Sequence, residues 1–167
     1  MKSHQLVSSI SPELKQDIIL YVQTETKEAF RTALFQIGAQ RKLRPQYFQN
    51  KSRAEQGAWL TKQLELKTFD SVAEQILQLW LLKAKVPMLT AFLDAADIKH
   101  DGQGQVDDLP DELTTEQISK GVDAMLVDNK GEEVALYLHL FQSQRPDGWP
   151  TITEALESRP ELKLGAA

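Results

Sequence analysis

One long apolar stretch, Ser71 to Ile98, constrains the fold of this chain more than any other feature. Its sequence is SVAEQILQLWLLKAKVPMLTAFLDAADI. In its first half Val72, Ile76 and Trp80 share one helical face and leucines cover most of the rest, and a helix that is apolar nearly all round is normally buried. Pro87 removes a backbone donor inside the pattern, so the helix must kink or restart there. The stretch therefore predicts a buried, proline-kinked central helix.

Helical patterns also fill the rest of the chain. Ser11 followed by Pro12 is typical of a helix start, Ser52 with Glu55 fits a capping box, and a second such box opens the central stretch at Ser71. No segment alternates as a strand would, and no repeat occurs at a fixed period. The length of 167 residues suits one good core and not two. The sequence thus predicts an all-α, single-domain bundle of about seven or eight helices around the central helix.

The composition indicates a cytoplasmic protein. The chain has no cysteine, which removes disulfide and thiolate chemistry. No apolar run reaches the length of about 18 residues that a membrane-spanning helix needs, and the first residues lack the continuous apolar region of a secretory signal. We expect no membrane partner, and flexible ends at about residues 1–10 and 160–167 of a single domain spanning 1–167.

Charge is distributed unevenly along the chain. Residues 1–70 carry 11 Lys and Arg against 7 Asp and Glu, a net charge of +4, whereas residues 71–167 carry 8 against 17, a net charge of −9. The two halves can compensate each other within the fold or simply face water, and this is the simpler interpretation. The alternative interpretation is a charged surface that meets a partner, because such asymmetry sets fields and encounter rates.

Residues 99–113, KHDGQGQVDDLPDEL, are predicted to form the one long acidic loop of the chain. Loops of this length are uncommon in compact domains and are often functional or mobile. The loop fits no EF-hand register, because either Lys99 falls where an oxygen ligand belongs or the last position is not an acid. Asp101, Asp107 and Asp108 remain candidates for loose cation binding, against the alternative of a solvated turn. We expect no resident metal and no cofactor.

The histidines suggest one further hypothesis. If the loop folds over the helix that carries His139, then His139, His100 and Asp101 would form an acid–base or metal site. No sequence spacing enforces this meeting, since the chain has no HExxH motif and no histidine pair at i and i+4. A structural histidine with an ordinary hydrogen bond is the alternative.

The only basic cluster is Arg41 to Arg53, RKLRPQYFQNKSR. Its cations Arg41, Arg44, Lys51 and Arg53, together with Tyr47, are the residue types that bind and stack single-stranded nucleic acid. The whole chain is acidic, with a pI near 5.2, which argues against a nucleic-acid binder. The cluster is therefore a candidate partner-binding segment, and nucleic acid is the less favoured of its possible partners.

The absence of any catalytic, metal or nucleotide motif decides the leading hypothesis. We expect a non-enzymatic helical module that binds another protein or a second copy of itself. The alternative is a small enzyme or a ligand- or metal-binding domain that uses His139 and the His100–Asp101 loop. A second alternative is weak nucleic-acid binding through Arg41 to Arg53. Most acids lie in polar loops or on outer helix faces, where they resemble solvated charge and not catalytic groups.

Overall fold

Helices are the only regular secondary structure in the part of the chain that the computed structural model describes, residues 1–165, and no strand occurs there. Ten α-helices and two short 3-10 helices form in these residues. The all-α prediction is confirmed, and the number of helices exceeds the expected seven or eight. The chain divides into two compact units, unit 1 (Met1–Trp80) and unit 2 (Leu81–Ala167). A single domain over residues 1–167 stays a prediction.

Unit 1 contains five complete helices, the 3-10 helix Lys67–Phe69 and most of a sixth α-helix. Helices α2, α3 and α5 contact one another, and Val22, Ile37 and Leu60 between them are completely buried. The helices are α1 (Ser3–Ser9), α2 (Pro12–Glu25), α3 (Lys27–Gln40), α4 (Pro45–Gln49), α5 (Arg53–Leu64) and α6 (Asp70–Ala84).

Two of the three predicted helix starts are found where the sequence places them. The Ser11 hydroxyl accepts a hydrogen bond from the backbone N–H of Leu14 at 3.1 Å, ahead of α2. The Ser52 hydroxyl accepts one from the backbone N–H of Glu55 at 3.2 Å, ahead of α5. Ser71 is not a helix cap, because α6 already begins at Asp70 and follows directly on the 3-10 helix. The helix therefore starts at Asp70 and not after Ser71.

Helix α1 occupies most of the N-terminal segment that the sequence predicts to be flexible. Leu6, Val7 and Ile10 are buried. His4 also joins α1 to Asp70, since its backbone N–H donates to Oδ1 of Asp70 at 2.9 Å and its Nδ1 lies 2.7 Å from the same oxygen. Partial burial raises the pKa of the Asp70 carboxyl, but the hydrogen bonds from His4 outweigh it and the net pKa is lowered.

The long apolar stretch is broken within unit 2, which begins at Leu81 near the end of α6. Helix α6 ends at Ala84, Lys85 leaves helical geometry with φ −120° and ψ 23°, and Pro87 is the second residue of α7. A bundle built around one kinked central helix stays a prediction. The helices of unit 2 are α7 (Val86–Ala95), α8 (Thr115–Leu126), α9 (Gly131–Gln142) and α10 (Pro150–Ser158), followed by the 3-10 helix Pro160–Leu162.

Aromatic rings form the centre of unit 2. Phe92 of α7 is completely buried, and its ring centroid lies 5.4 Å from that of Tyr137 and 5.6 Å from that of Phe141. Phe141 in turn stacks on Trp149 at 5.0 Å. Helix α8 approaches α7 so closely that a Cβ atom at Gly121 would lie 2.5 Å from the Phe92 ring. Close packing in the core of this unit therefore requires both the Phe92 ring and a glycine at position 121 opposite it.

The C-terminal segment is held against α9. Leu162 is buried, and a Cβ atom at Gly131, the first residue of α9, would collide with the backbone carbonyl oxygen of Glu161. The segment predicted to be flexible, residues 160–167, thus begins with an ordered 3-10 helix. Its last two residues, Ala166 and Ala167, lie outside the described residues.

No single helix within residues 1–165 has the length and apolar character to cross a membrane. The segments Lys67–Ala84 and Val86–Ala95 meet those criteria by length and composition only when they are taken together across the break between them. The buried core helix of a water-soluble protein meets the same criteria.

Candidate functional site

His100 and His139, the predicted acid–base pair, have separate surroundings. Nε2 of His100 lies 2.7 Å from Oδ1 of Asp94, and its Nδ1 accepts a hydrogen bond from the backbone N–H of Gly102 at 3.0 Å. The ring of His139 makes no hydrogen bond within residues 1–165, and burial lowers its pKa to about 4. His100 therefore ties the start of the acidic loop to α7. An acid–base site at these residues stays a prediction.

The carboxylates of the acidic loop do not converge. Oδ1 of Asp101 accepts hydrogen bonds from the backbone N–H groups of Gln103 and Gln105, at 2.7 and 3.0 Å, and these bonds lower the pKa of Asp101. Asp107 and Asp108 are exposed. No group of three His, Asp or Glu side chains that could hold a metal ion occurs within residues 1–165. The Asp101 carboxylate thus binds backbone N–H groups of its own turn, as in an Asx turn.

The far end of the same loop is fastened to residues that follow α9. The Arg145 guanidinium donates to the carbonyl oxygens of Pro110 and Asp111, at 3.0 and 2.5 Å. The Trp149 indole N–H donates to the Pro110 oxygen at 3.0 Å, and the Thr151 hydroxyl donates to the carbonyl oxygen of residue 113 at 2.8 Å. Although the sequence suggests a mobile loop, hydrogen bonds hold both of its ends.

The basic cluster from Arg41 to Arg53 is partly engaged inside unit 1. The Arg41 guanidinium lies 5.6 Å from the centre of the Phe69 ring, and the Lys51 ammonium lies 4.8 Å from that of the Tyr47 ring. Such cation–π contacts are weakly stabilising at exposed sites. Arg44 is exposed at the start of α4. Arg53, another candidate residue of this cluster, borders two concave surfaces.

Unit 1 has two neighbouring concave surfaces, which share Gln23 and Arg53. The first, of about 590 Å³, lies between α2 and α5 and is called here the α2/α5 groove. The second, of about 650 Å³, lies between α3, α4 and the start of α5 and is called here the aromatic recess. Among the described residues no aspartate or glutamate lines either one, whereas Lys15, Lys27, Arg31, Arg53 and Lys62 do. Both surfaces are therefore cationic.

The α2/α5 groove has an apolar floor and small walls. A Cβ atom at Gly57 would lie 3.1 Å from Cγ2 of Ile19, so α2 and α5 are in close contact below the groove. Ala54 and Ala58 form one side, and on the other Leu20 keeps 56% of its surface exposed. Leu20 therefore adds exposed apolar surface to the edge of this cleft.

The cations at the rim of the groove differ in whether they form an ion pair. Nζ of Lys15 lies 2.7 Å from Oε1 of Glu65, so this charge is already paired. Lys62 and Arg53 form no ion pair with a carboxylate among residues 1–165. Two positive charges are therefore available to an anion that enters the groove.

The aromatic recess is built around the buried ring of Phe48 on α4. Its centroid lies 4.8 Å from that of Trp59, 5.2 Å from that of Tyr47 and 6.2 Å from that of Phe35. The Gln56 side-chain amide fixes α4 from below by donating to the carbonyl oxygen of Phe48 at 2.8 Å. Phe48 is 2% exposed and Phe35 is 36% exposed. A rigid ring and a half-exposed ring therefore face the same cavity.

Sequence reasoning missed most of these residues. It gave no role to Lys27 and Arg31, which stand four residues apart on α3 beside the buried side chains of Phe30 and Leu34. Cations at i and i+4 along the border of an apolar stripe are the signal that was present. That Arg53 faces them depends on how α3 and α5 pack, which the sequence pattern does not contain.

No family model matches this chain, and neither the curated proteins nor the solved structures contain a significantly similar one. The function is therefore argued from the chemistry of the two surfaces of unit 1.

Proposed function

We propose that this chain is a helical protein-interaction module whose α2/α5 groove binds an acidic amphipathic helix of a partner protein. The observation that carries the proposal is an open apolar groove that is bordered by cations and lined by no carboxylate. A helix-in-groove complex needs an apolar floor for the buried face of the ligand and polar contacts at its edges. The groove offers both.

The apolar part of the interaction would come from Leu20 and the small side chains of α5. Leu20 is 56% exposed, and Ala54 and Ala58 leave room for a large apolar side chain of the partner. Burial of apolar surface supplies roughly 25 cal/mol per Å² before the costs of association are subtracted. Leu20 is thus the expected centre of the contact.

Charge selects an acidic partner over a basic one. Lys62 and Arg53 border the groove and form no ion pair with a carboxylate in residues 1–165, and unit 1 as a whole carries 11 Lys and Arg against 8 Asp and Glu. Like charges placed opposite each other in an interface are unfavourable, and complementary charges raise the association rate. Glutamates flanking the apolar face of a partner helix would meet these cations.

Self-association is the second form of the same proposal. Unit 2 carries 8 Lys and Arg against 16 Asp and Glu, a net charge of −8, so a second copy can supply the acidic surface. Such an assembly weakens as the salt concentration rises, because exposed charges are screened within about 10 Å at 0.1 M salt. We assign the module to the cytoplasm, which its cysteine-free composition favours.

A designed peptide tests the proposal directly. The probe is a helical peptide of about 16 residues with leucines at i, i+3, i+4 and i+7 and glutamates on its other faces. We expect it to bind the full chain with a Kd of about 10–100 µM at low salt, measured by calorimetry and mapped by NMR shifts. Lys62→Glu should weaken binding by at least about tenfold, since it places a like charge at the rim.

The controls separate the groove from general electrostatics. A peptide with the same leucines and with lysines in place of the glutamates should bind at least about tenfold more weakly, and Lys67→Glu, a charge reversal outside the groove, should leave the affinity unchanged. Equal binding of both peptides, or shifts confined to residues outside α2 and α5, would contradict the proposal. Light scattering at two salt concentrations, with no peptide added, reports the self-associating form.

A further inference from the structure

The aromatic recess has the size and the rigidity of a small-molecule site. Its volume of about 650 Å³ lies in the range of roughly 300–1,000 Å³ that is usual for ligand pockets. Phe48 is packed against the ring of Trp59, and a Cβ atom at Gly38 would lie 2.6 Å from the Phe48 ring, so the ring has no room to turn away. The floor is therefore formed before any ligand arrives, which lowers the entropic cost of binding.

The walls of the recess divide into an apolar part and a cationic part. Phe30 and Leu34 are buried beside Phe48, while Phe35 keeps 36% of its surface exposed. Lys27 and Arg31, one turn apart on α3, and Arg53 at the start of α5 line the same cavity. A ligand that fills this space would meet rings on one side and positive charge on the other.

The three cations of the recess are unpaired within the described part of the chain. Lys27, Arg31 and Arg53 form no ion pair with a carboxylate among residues 1–165, and no acid lines the cavity. A carboxylate or a phosphate placed between arginines gains charge-assisted and bidentate hydrogen bonds. In contact with apolar walls these bonds are stronger than they are in open water.

We propose that the aromatic recess binds a small amphipathic organic anion, with an aromatic or other apolar body against Phe35 and Phe48 and a carboxylate or phosphate group between Arg31, Lys27 and Arg53. This site is separate from the α2/α5 groove and does not depend on the function proposed for it. The two sites share Arg53 and Gln23. Occupation of one therefore changes the charge offered by the other, and binding at the two sites is coupled unfavourably for two anionic ligands.

Four probes test the chemistry of the site on the full chain. They are 2-naphthoate, 2-naphthyl phosphate, the neutral 2-naphthamide and inorganic phosphate, titrated by calorimetry and mapped by NMR shifts. We expect at least one of the two naphthyl anions to bind with a Kd below about 1 mM, within the affinity that ligands of this size reach. 2-Naphthamide should bind at least about tenfold more weakly because it lacks the charge, and inorganic phosphate because it lacks the apolar body. The stronger of the two naphthyl anions identifies the head group.

Variants connect the binding to the recess. Arg31→Gln, an exposed position whose fold is checked by circular dichroism, should lower the affinity for the naphthyl anion at least about tenfold, and Phe35→Ala should lower it several-fold. Lys62→Gln, which changes only the groove, and Lys67→Gln, which changes neither surface, should leave it unchanged. Conversely, Arg31→Gln should not affect the acidic peptide, so the two proposals can fail independently.

Several results would overturn the inference. These are the absence of binding by either naphthyl anion, equal binding of 2-naphthamide, or an Arg31→Gln variant that binds as the unaltered chain does. A single-stranded oligonucleotide that binds more tightly than 2-naphthyl phosphate, with a loss in Arg41→Gln, would assign the cations to a nucleic-acid surface instead.

Discussion

In unit 2 the arginines hold the fold together, whereas in unit 1 arginine and lysine side chains border open surfaces. Arg159 pairs with Asp123 at 2.8 Å, and Arg145 donates to two backbone carbonyl groups of the acidic loop. Lys85 pairs with Glu133 at 2.7 Å, and both side chains are largely buried. In unit 1 Arg31 and Lys62 border the two concave surfaces without a carboxylate partner among residues 1–165.

This difference separates charges that stabilise a fold from charges that are available for binding. A cation that donates to backbone carbonyl groups of a distant loop contributes to folding, because its removal deletes the hydrogen bonds that hold the loop in place. A cation at the edge of an open recess is hydrated in the free protein, so its removal costs little in stability. Stability and binding should therefore respond to different residues in the two units.

The largest expected effect is a difference in the free energy of unfolding between two phenylalanine variants. Phe92→Ala should lower the free energy of unfolding by about 3–5 kcal/mol, since it leaves a cavity in a closely packed core. Phe35→Ala, at a ring that is 36% exposed, should lower it by less than about 1 kcal/mol. Urea unfolding followed by circular dichroism measures both. Equal losses would mean that Phe35 is a core residue, and the binding role of the recess would lose its support.

The second comparison concerns two arginines. Arg145→Ala removes the donor to Pro110 and Asp111 and the cation 5.1 Å from the centre of the Trp149 ring, so we expect a loss of about 1.5–3 kcal/mol. Arg31→Ala should change the free energy of unfolding by no more than about 0.5 kcal/mol. The same unfolding titration reports both values. A strongly destabilising Arg31→Ala would show that Arg31 stabilises the fold as Arg145 does, and it would contradict the comparison between the units.

The smallest expected effect is a difference in acid sensitivity. The pKa of His139 falls from 6.5 to about 4 in the folded state because the ring is buried, so the unfolded chain takes up its proton first as the pH drops. The stability that depends on neutral His139 is complete above pH 6.5 and is lost as the pH falls towards 4. Allowing for the partial exposure of the ring, we expect a loss of about 1–2 kcal/mol.

His139→Gln should flatten the dependence of the unfolding free energy on pH between 6.5 and about 4. Thermal unfolding at a series of pH values measures this dependence. In unit 1 the corresponding group is Asp70, whose pKa is lowered from 3.8. Its contribution is present above pH 3.8 and is lost only below it. Asp70→Asn should therefore leave the slope above pH 4.5 unchanged, and a slope that disappears in this variant would place the acid sensitivity in unit 1.

Local signals in the sequence predicted the helices well. Ser11 and Ser52 cap the helices they were expected to cap, because a serine hydroxyl ahead of the first turn needs only the backbone of the next three residues. Ser71 failed because the 3-10 helix before it removes the free N–H groups that a cap would bind. Pro87 was correctly read as incompatible with an unbroken helix, and the break lies two residues earlier, at Lys85.

The candidate sites were harder to predict, because they depend on distant parts of the chain. No sequence spacing brings His100 to His139, so that site depends on how the loop folds and stays a prediction. In the structure Nε2 of His100 lies 2.7 Å from Oδ1 of Asp94, a contact that the sequence analysis did not predict. The basic cluster was recognised, but Arg41 is engaged by the ring of Phe69, which no spacing rule connects to it. The recess needs Arg31 and Arg53 on two helices that face each other, and only tertiary packing brings them there.

The contact between Gly121 and Phe92 has a consequence for how chains with this fold can diverge. A side chain at position 121 would enter the Phe92 ring, so a mutation there is tolerated only if position 92 becomes smaller in the same lineage. At position 131 the obstacle is the backbone carbonyl of Glu161, and no substitution of a neighbouring side chain can remove it. Descent should therefore preserve glycine at 131 outright and let 121 and 92 covary, which gives a signature for detecting remote relatives.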